Sequence, residues 1–170
     1  MKYMKLSLRD QQAFLAELEA MSDYLENVFS DLKPSDFIRP GPDGGFSPVE
    51  HVWHLVDLER DGFAERIRRL QVETHPVLPD FDGTSVAKAG NYKSRSIQKG
   101  VAEFRALRKT NVSTLRALSS EAWLRRGEQE GVGPVSLCDI PAMMAEHDES
   151  HRSEISEWIK ASGPWRTASE

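Results

Sequence analysis

The sequence predicts an all-α protein, an up-and-down-type four-helix bundle in one domain over residues 1–170. Four long segments carry apolar residues at helical spacing. Stretches rich in glycine, proline, serine and aspartate separate these segments, and no segment shows the alternating pattern that predicts a strand. Long amphipathic helices joined by loops of intermediate length are typical of a bundle, and a chain of 170 residues can bury one core without disulfides.

The first helix is predicted over residues 7–32. Ser7 can cap its N-terminus, and Asp10 occupies a favourable position in the first turn. Apolar side chains then recur every three or four residues and form one stripe: Phe14, Leu18, Met21, Leu25, Phe29 and Leu32.

The second helix, predicted over residues 47–73, has the clearest start in the sequence. Ser47-Pro48-Val49-Glu50 indicates a capping box with proline in the first helical position. His75-Pro76 and the stretch 79–83 end this helix. Its inward positions are Val52, Val56, Phe63, Ile67 and Leu70.

Two further helices are predicted over residues 96–118 and 137–161, with a loop from 119 to about 134 between them. Arg108 and Asn111 interrupt the apolar stripe of the third helix. Gly163-Pro164 is a natural stop for the fourth. The stripe of the fourth helix includes two histidines: Ile140, Met144, His147, His151, Ile155 and Trp158.

The composition narrows the function classes. A net charge of -5 without a basic stripe argues against nucleic-acid binding, and we expect the cluster of Arg66, Arg68 and Arg69 to form a solvated helix face. The single cysteine, Cys138, is expected to be a small buried residue. The N-terminus lacks the apolar core of a secretory signal, and no apolar run approaches ~20 residues, so we expect a cytoplasmic protein without a membrane segment.

His147 and His151 are the strongest candidates for chemistry. They lie four residues apart, so both project from one helix face, within the apolar stripe. Neutral imidazole is a good ligand for a divalent metal ion. The alternative is a pair of histidines that bind carbonyl groups, Asp148 or Glu154. A third ligand would come from another helix, and helical geometry leaves both His51 and His54 open.

A family resemblance bears on that choice. The segment 46–59, Phe-Ser-Pro-Val-Glu-His-Val-Trp-His-Leu-Val-Asp-Leu-Glu, resembles the second helix of the DinB-like (YfiT-like) superfamily. That family begins this helix with Trp-Ser, a glutamate, and a His-Leu four residues after the glutamate; Phe46 replaces the usual tryptophan. The segment 147–155 is similar to the family's H-D-x-x-H pattern. Residues 118–123 and 133–137 also fit, so the similarity spans most of the chain.

The resemblance implies that His54, His147 and His151 bind one divalent metal ion, Zn, Ni, Fe or Mn, and it leaves His51 outside the site. Three protein ligands are typical of a catalytic rather than a structural metal site. Asp148 and Glu154 are candidates to accept hydrogen bonds from these histidines, with solvated carboxylates as the alternative. Arg108 is a candidate to bind an anionic substrate group, with an arginine stem covering apolar surface as the alternative.

The implied function is a metal-dependent enzyme with a small-molecule substrate, either a low-molecular-weight-thiol S-transferase or a hydrolase. The alternative is a non-enzymatic stress-response or interaction protein with a vestigial metal site. A zincin-like peptidase fits poorly because Asp148 replaces the glutamate base, and a di-iron site would need several inward glutamates. A homodimer is expected from the family's habit and from Trp53, Trp123 and Trp165.

Overall fold

The computed structural model describes residues 3–162, so Gly163-Pro164 and Trp165 lie outside the described residues. The predicted all-α four-helix bundle is confirmed, and the ends of its four long helical segments lie within three residues of the predicted ones. The α-helices between residues 3 and 162 are α1 (Leu8–Phe29), α2 (Pro48–Asp57), α3 (Ala64–Val72), α4 (Gly83–Gly90), α5 (Ile97–Arg116), α6 (Ser120–Trp123) and α7 (Ile140–Ser162).

Side-chain caps explain where the long helices begin. The Ser7 hydroxyl accepts a hydrogen bond from the Asp10 backbone N–H at 3.2 Å. The predicted capping box is present at the start of α2, where the Ser47 backbone N–H donates to Glu50 Oε2 at 3.0 Å. The first backbone N–H groups of a helix have no acceptor within the helix, and these side chains supply one.

The predicted second helix is continuous but changes its winding. Between α2 and α3, residues Leu58–Phe63 form a π-helical segment, a distortion that often occurs at functional sites. Asn111 of α5 donates from Nδ2 to the Glu59 backbone carbonyl at 3.1 Å and to Glu59 Oε1 at 3.0 Å. This polar residue in the stripe of α5 therefore binds the segment in which the helix widens.

The long helices follow the cyclic order α1–α5–α2–α7, because α1 and α2 each pack against both α5 and α7. Apolar side chains from all of them form the core, and burial of one such side chain contributes about 1.5–3 kcal/mol. No helix within residues 3–162 combines the length and apolar character needed to span a membrane. Core residues with essentially no exposed surface include Leu15, Leu25, Val52, Leu70, Phe104, Leu115 and Met144.

A small sheet corrects the expectation that the chain contains no strands and that residues 119–134 form only a loop. β1 (Val77–Leu78) pairs in parallel with β2 (Arg126–Gln129), which pairs antiparallel with β3 (Gly133–Ser136). These strands have two to four residues, too few for an alternating pattern to be recognised. Gly131 and Gly133, at φ 74° and 99°, allow the turn between β2 and β3.

Of the three tryptophans that suggested a homodimer, two are buried and do not support one. Trp53 is 8% exposed and Trp123 is 7% exposed, so both lie in the core of the chain itself. Trp165 is outside the described residues. The homodimer therefore rests on the family's habit alone.

Candidate metal centre

Four of the five histidines meet between two helices of the bundle. His51 and His54 lie one turn apart on α2, and His147 and His151 lie one turn apart on α7. The fifth, His75, is exposed in the loop after α3. Because α2 and α7 pack against each other, the two histidines of α2 face the two histidines of α7.

His54, His147 and His151 have the geometry of a metal site. One ring nitrogen from each lies within 4.8 Å of the other two. Nε2 of His54 lies 3.3 Å from Nε2 of His147, close to the ~3.4 Å that separates two nitrogens bound tetrahedrally at ~2.0–2.1 Å from one metal ion. No other histidine, cysteine or carboxylate of the described residues joins this group.

His51 is not the bystander that the family resemblance implies. It is 2% exposed, and its Nδ1 lies 2.9 Å from Nδ1 of His151. Glu154 Oε2 lies 3.2 Å from the same His151 nitrogen and 3.7 Å from Nδ1 of His51. The 2.9 Å separation is the length of a hydrogen bond and is short for two ligands of one metal ion. His51, Glu154 and His151 thus form a second cluster that shares His151 with the first.

Burial keeps the clustered histidines neutral. It is the main cause that lowers the pKa of His51 and of His147 to about 4 and that of His151 to about 2, with a further contribution from the neighbouring imidazoles. Burial also lowers the pKa of His54, partly offset by Asp57. Neutral rings keep a free nitrogen lone pair, so these residues can bind a divalent cation at neutral pH without losing protons.

Two buried nitrogens in the site have no hydrogen-bond partner in the part of the chain that the structure describes: Nδ1 of His54 and Nδ1 of His147. Gly83, at the start of α4, packs directly on the His54 ring. A Cβ atom at Gly83 would lie 2.5 Å from His54 Cε1. Three convergent neutral imidazoles fit one divalent cation, and no hydrogen bond at Nδ1 from the described residues fixes the rings of His54 and His147.

Arg108 and Asp148 have different positions from those expected. Arg108 is 1% exposed, so its guanidinium lies inside the bundle rather than in solvent. It donates to both carboxylate oxygens of Asp148, at 2.6 and 2.9 Å, and forms an ion pair with Glu59 at 3.0 Å. Asp148 therefore binds Arg108 rather than the histidines next to it in the sequence. Neither alternative considered for Arg108 included this buried ion pair.

A cavity of about 220 Å³ opens beside the histidine triad. Arg66 of α3 lines it and is 6% exposed, which corrects the expectation of a solvated face at this position. Arg68 and Arg69 do pair with Glu65 and Glu73 at the surface. Periodicity could have indicated the difference, because Arg66 lies one turn after the inward Phe63.

A larger cavity of about 380 Å³ lies between α1 and α5, away from the histidines. The lining of the first cavity is His54, Leu58, Phe63, Arg66, Phe81, Met143 and His147.

Comparison with known proteins identifies the fold and the family. The chain is similar in structure to YfiT from Bacillus subtilis, described as a probable metal-dependent hydrolase with an unusual four-helix bundle topology. The two share 19% sequence identity, with a TM-score of 0.84 over 93% of this chain and 90% of YfiT. No curated protein gives a significant match. Residues 17–155 match the DinB superfamily, and the chain therefore belongs to the DinB superfamily.

Proposed function

We propose that this protein is a metal-dependent enzyme that binds one divalent cation through His54, His147 and His151. It acts on a small molecule, either as a hydrolase or as an S-transferase that uses a low-molecular-weight thiol. The observation that carries the proposal is the contact between the triad and the 220 Å³ cavity, since His54 and His147 are also part of its lining.

The ligand set supports an enzymatic rather than a structural site. Structural zinc sites have four protein ligands, whereas three leave a position for an exogenous ligand. A divalent cation supplies Lewis acidity at such a position, which activates water or a thiol for attack on an electrophile. Both reactions in the proposal need this property, so the ligand set does not favour one over the other.

The chain's own residues would bind and shield the substrate. Leu58, Phe63, Phe81 and Met143 form apolar walls of the cavity, against which apolar groups of a substrate would pack. His51 and Glu154 lie beside Nδ1 of His151. A hydrogen bond from this Nδ1 would leave Nε2 as the metal-binding nitrogen and fix the orientation of the ring.

The experiment compares two reactions in the metal-loaded protein. Hydrolysis of p-nitrophenyl acetate is measured without thiol, and conjugation of 1-chloro-2,4-dinitrobenzene is measured with a panel of low-molecular-weight thiols. Metal-dependent turnover in either assay, lost in His147→Ala, supports an enzyme and identifies its class. If the protein binds metal but gives no turnover in either assay, the non-enzymatic alternative is favoured.

We also propose that the protein forms a homodimer, as expected from its family. Light scattering that gives twice the chain mass of 19.2 kDa would support this assembly. Light scattering that gives the mass of a single chain at high protein concentration would exclude the homodimer.

A further inference from the structure

Arg66 is a buried cation without a counter-ion. It is 6% exposed, and its Nε is buried without a hydrogen-bond partner. Among residues 3–162, no carboxylate oxygen lies within 4.0 Å of its guanidinium, and its nearest defined contact is the Phe63 ring, with 5.5 Å from Cζ to the ring centroid. Asp80 acts on Arg66 only at longer range.

The energetic cost of this arrangement is not balanced by the chain. An unpaired buried ion costs several kcal/mol, whereas a cation–π contact contributes about 0.5–2 kcal/mol. Burial lowers the pKa of Arg66, but arginine does not lose its proton in proteins. Arg108, which is 1% exposed, has two carboxylates against its guanidinium, whereas among the described residues Arg66 has none within the same distance.

Arg66 and the histidine triad share one cavity. Arg66, His54 and His147 all line the 220 Å³ space, and the positive charge of Arg66 contributes to the low pKa of His147. The other lining residues are apolar. The cavity therefore offers one cationic group and apolar walls beside the proposed metal ligands.

We propose that Arg66 binds a carboxylate of the substrate, so that the substrate class is a small, largely apolar organic acid. This inference rests on the proposed function, because only an enzyme would use the bound acid as a substrate. The planar guanidinium matches a carboxylate through two parallel hydrogen bonds. The volume of 220 Å³ is below the ~300–1,000 Å³ of pockets for drug-sized ligands, which restricts the acid to a small one. The carboxylate replaces the missing counter-ion and orients the reactive group toward the histidines.

The test uses benzoate as the probe and benzamide as its neutral counterpart, titrated calorimetrically into the full chain without metal. Benzoate should bind the wild type, and Arg66→Met should weaken benzoate by about tenfold or more while leaving benzamide unchanged. Arg68→Met is the matched control two residues along α3, where the side chain is 56% exposed, and it should leave benzoate binding unchanged.

A second measurement separates a binding role from a structural one. Without ligand, Arg66→Met removes an unpaired buried charge, so its melting temperature should equal or exceed that of the wild type. A marked fall in melting temperature, or equal benzoate affinity in wild type and Arg66→Met, would overturn the proposal. No benzoate binding to the wild type would also overturn it.

Metal binding is measured separately on the same proteins. Arg66→Met should retain Zn²⁺ binding. His151→Ala, which removes a proposed metal ligand that does not line the cavity, should lose Zn²⁺ binding and retain benzoate binding. If the wild type binds no metal but binds benzoate through Arg66, the proposed function fails and the anion site stands.

Discussion

Arg108 on α5 donates two hydrogen bonds to Asp148 on α7, from Nη1 to Oδ2 at 2.6 Å and from Nη2 to Oδ1 at 2.9 Å. Asp148 directly follows His147 in α7. The same guanidinium pairs with Glu59, five residues after His54 in the π-helical segment. One buried arginine thus connects both helical segments that carry the histidine triad, and we infer that it fixes their relative position.

Loss of this arginine should strongly destabilise the fold. Arg108→Met leaves Glu59 and Asp148 buried without a counter-ion, and we expect a decrease of about 3–5 kcal/mol in the free energy of unfolding. Arg105→Met is the matched control on α5, because Arg105 pairs with Asp23 and Glu26 at the surface. The control should change stability by less than about 1 kcal/mol. Urea denaturation measures both, and similar losses would contradict a special role for Arg108.

His51 should influence the metal without binding it. Its Nδ1 lies at hydrogen-bond distance from Nδ1 of His151, and loss of such a partner typically weakens metal affinity by about 10–100-fold. We expect this reduction in Zn²⁺ affinity for His51→Ala, measured by competition with a chelator. His75→Asn is the control, because asparagine tolerates the positive φ of 51° at this exposed histidine. Complete loss of binding in His51→Ala would instead make His51 a ligand.

Gly83→Ala should weaken metal binding without weakening the fold. The added Cβ atom would lie 2.5 Å from His54 Cε1 and 3.1 Å from Nδ1, so the ring must move. Gly83 has no positive φ, so alanine fits its backbone and restricts the unfolded chain, which contributes about 0.4–1 kcal/mol and opposes any loss of stability. We expect about tenfold weaker Zn²⁺ binding and no decrease in the melting temperature of the metal-free protein. Lys88→Ala, at an exposed position of the same helix, should change neither; unchanged affinity in Gly83→Ala would show that His54 has room to move.

Acid should destabilise the metal-free protein. The ordinary histidine pKa is 6.5, and burial lowers that of His51 and of His147 to about 4. Between these values the unfolded chain binds more protons than the folded one, so stability is fully present above pH 6.5 and is lost as the pH falls toward 4. The slope can reach about 1.4 kcal/mol per pH unit for each histidine. Urea denaturation between pH 4 and 6.5 should show this decrease in the free energy of unfolding, and the decrease should be smaller in His147→Leu. A free energy of unfolding that does not change with pH in the wild type would contradict neutral buried histidines.

The sequence predicts the helices well because their signals are local. Apolar spacing and the Ser47 capping box depend only on neighbouring residues, and the observed boundaries agree. The contact of His51 with His151 and the partners of Arg108 depend on which helix faces which, and residues from distant parts of the chain supply them. Periodicity indicates that Arg66 faces inward, but its position in a cavity beside the histidines depends on how α3 and α7 lie relative to each other. These features required the structure.

The third histidine of the site also depends on contacts between helices, which local sequence signals do not determine. Helical periodicity left His51 and His54 open, and the family resemblance selected His54. Both residues are buried and both contact α7. Nε2 of His54 lies 3.3 Å from Nε2 of His147, and Nδ1 of His51 lies 2.9 Å from Nδ1 of His151. Both pairs belong to clusters that could hold a metal ion, so the choice of His54 as the third ligand is part of the proposal.

The position of a bound metal ion tests the central proposal most directly. Crystals of the protein grown with Zn²⁺ would be measured at the zinc absorption edge, and the anomalous difference map locates the ion independently of any assumed ligand. We predict one peak within ~2.0–2.3 Å of a ring nitrogen of His54, His147 and His151. A peak between His51, His151 and Glu154 instead, or no peak at either cluster at saturating Zn²⁺, would contradict the proposed metal centre.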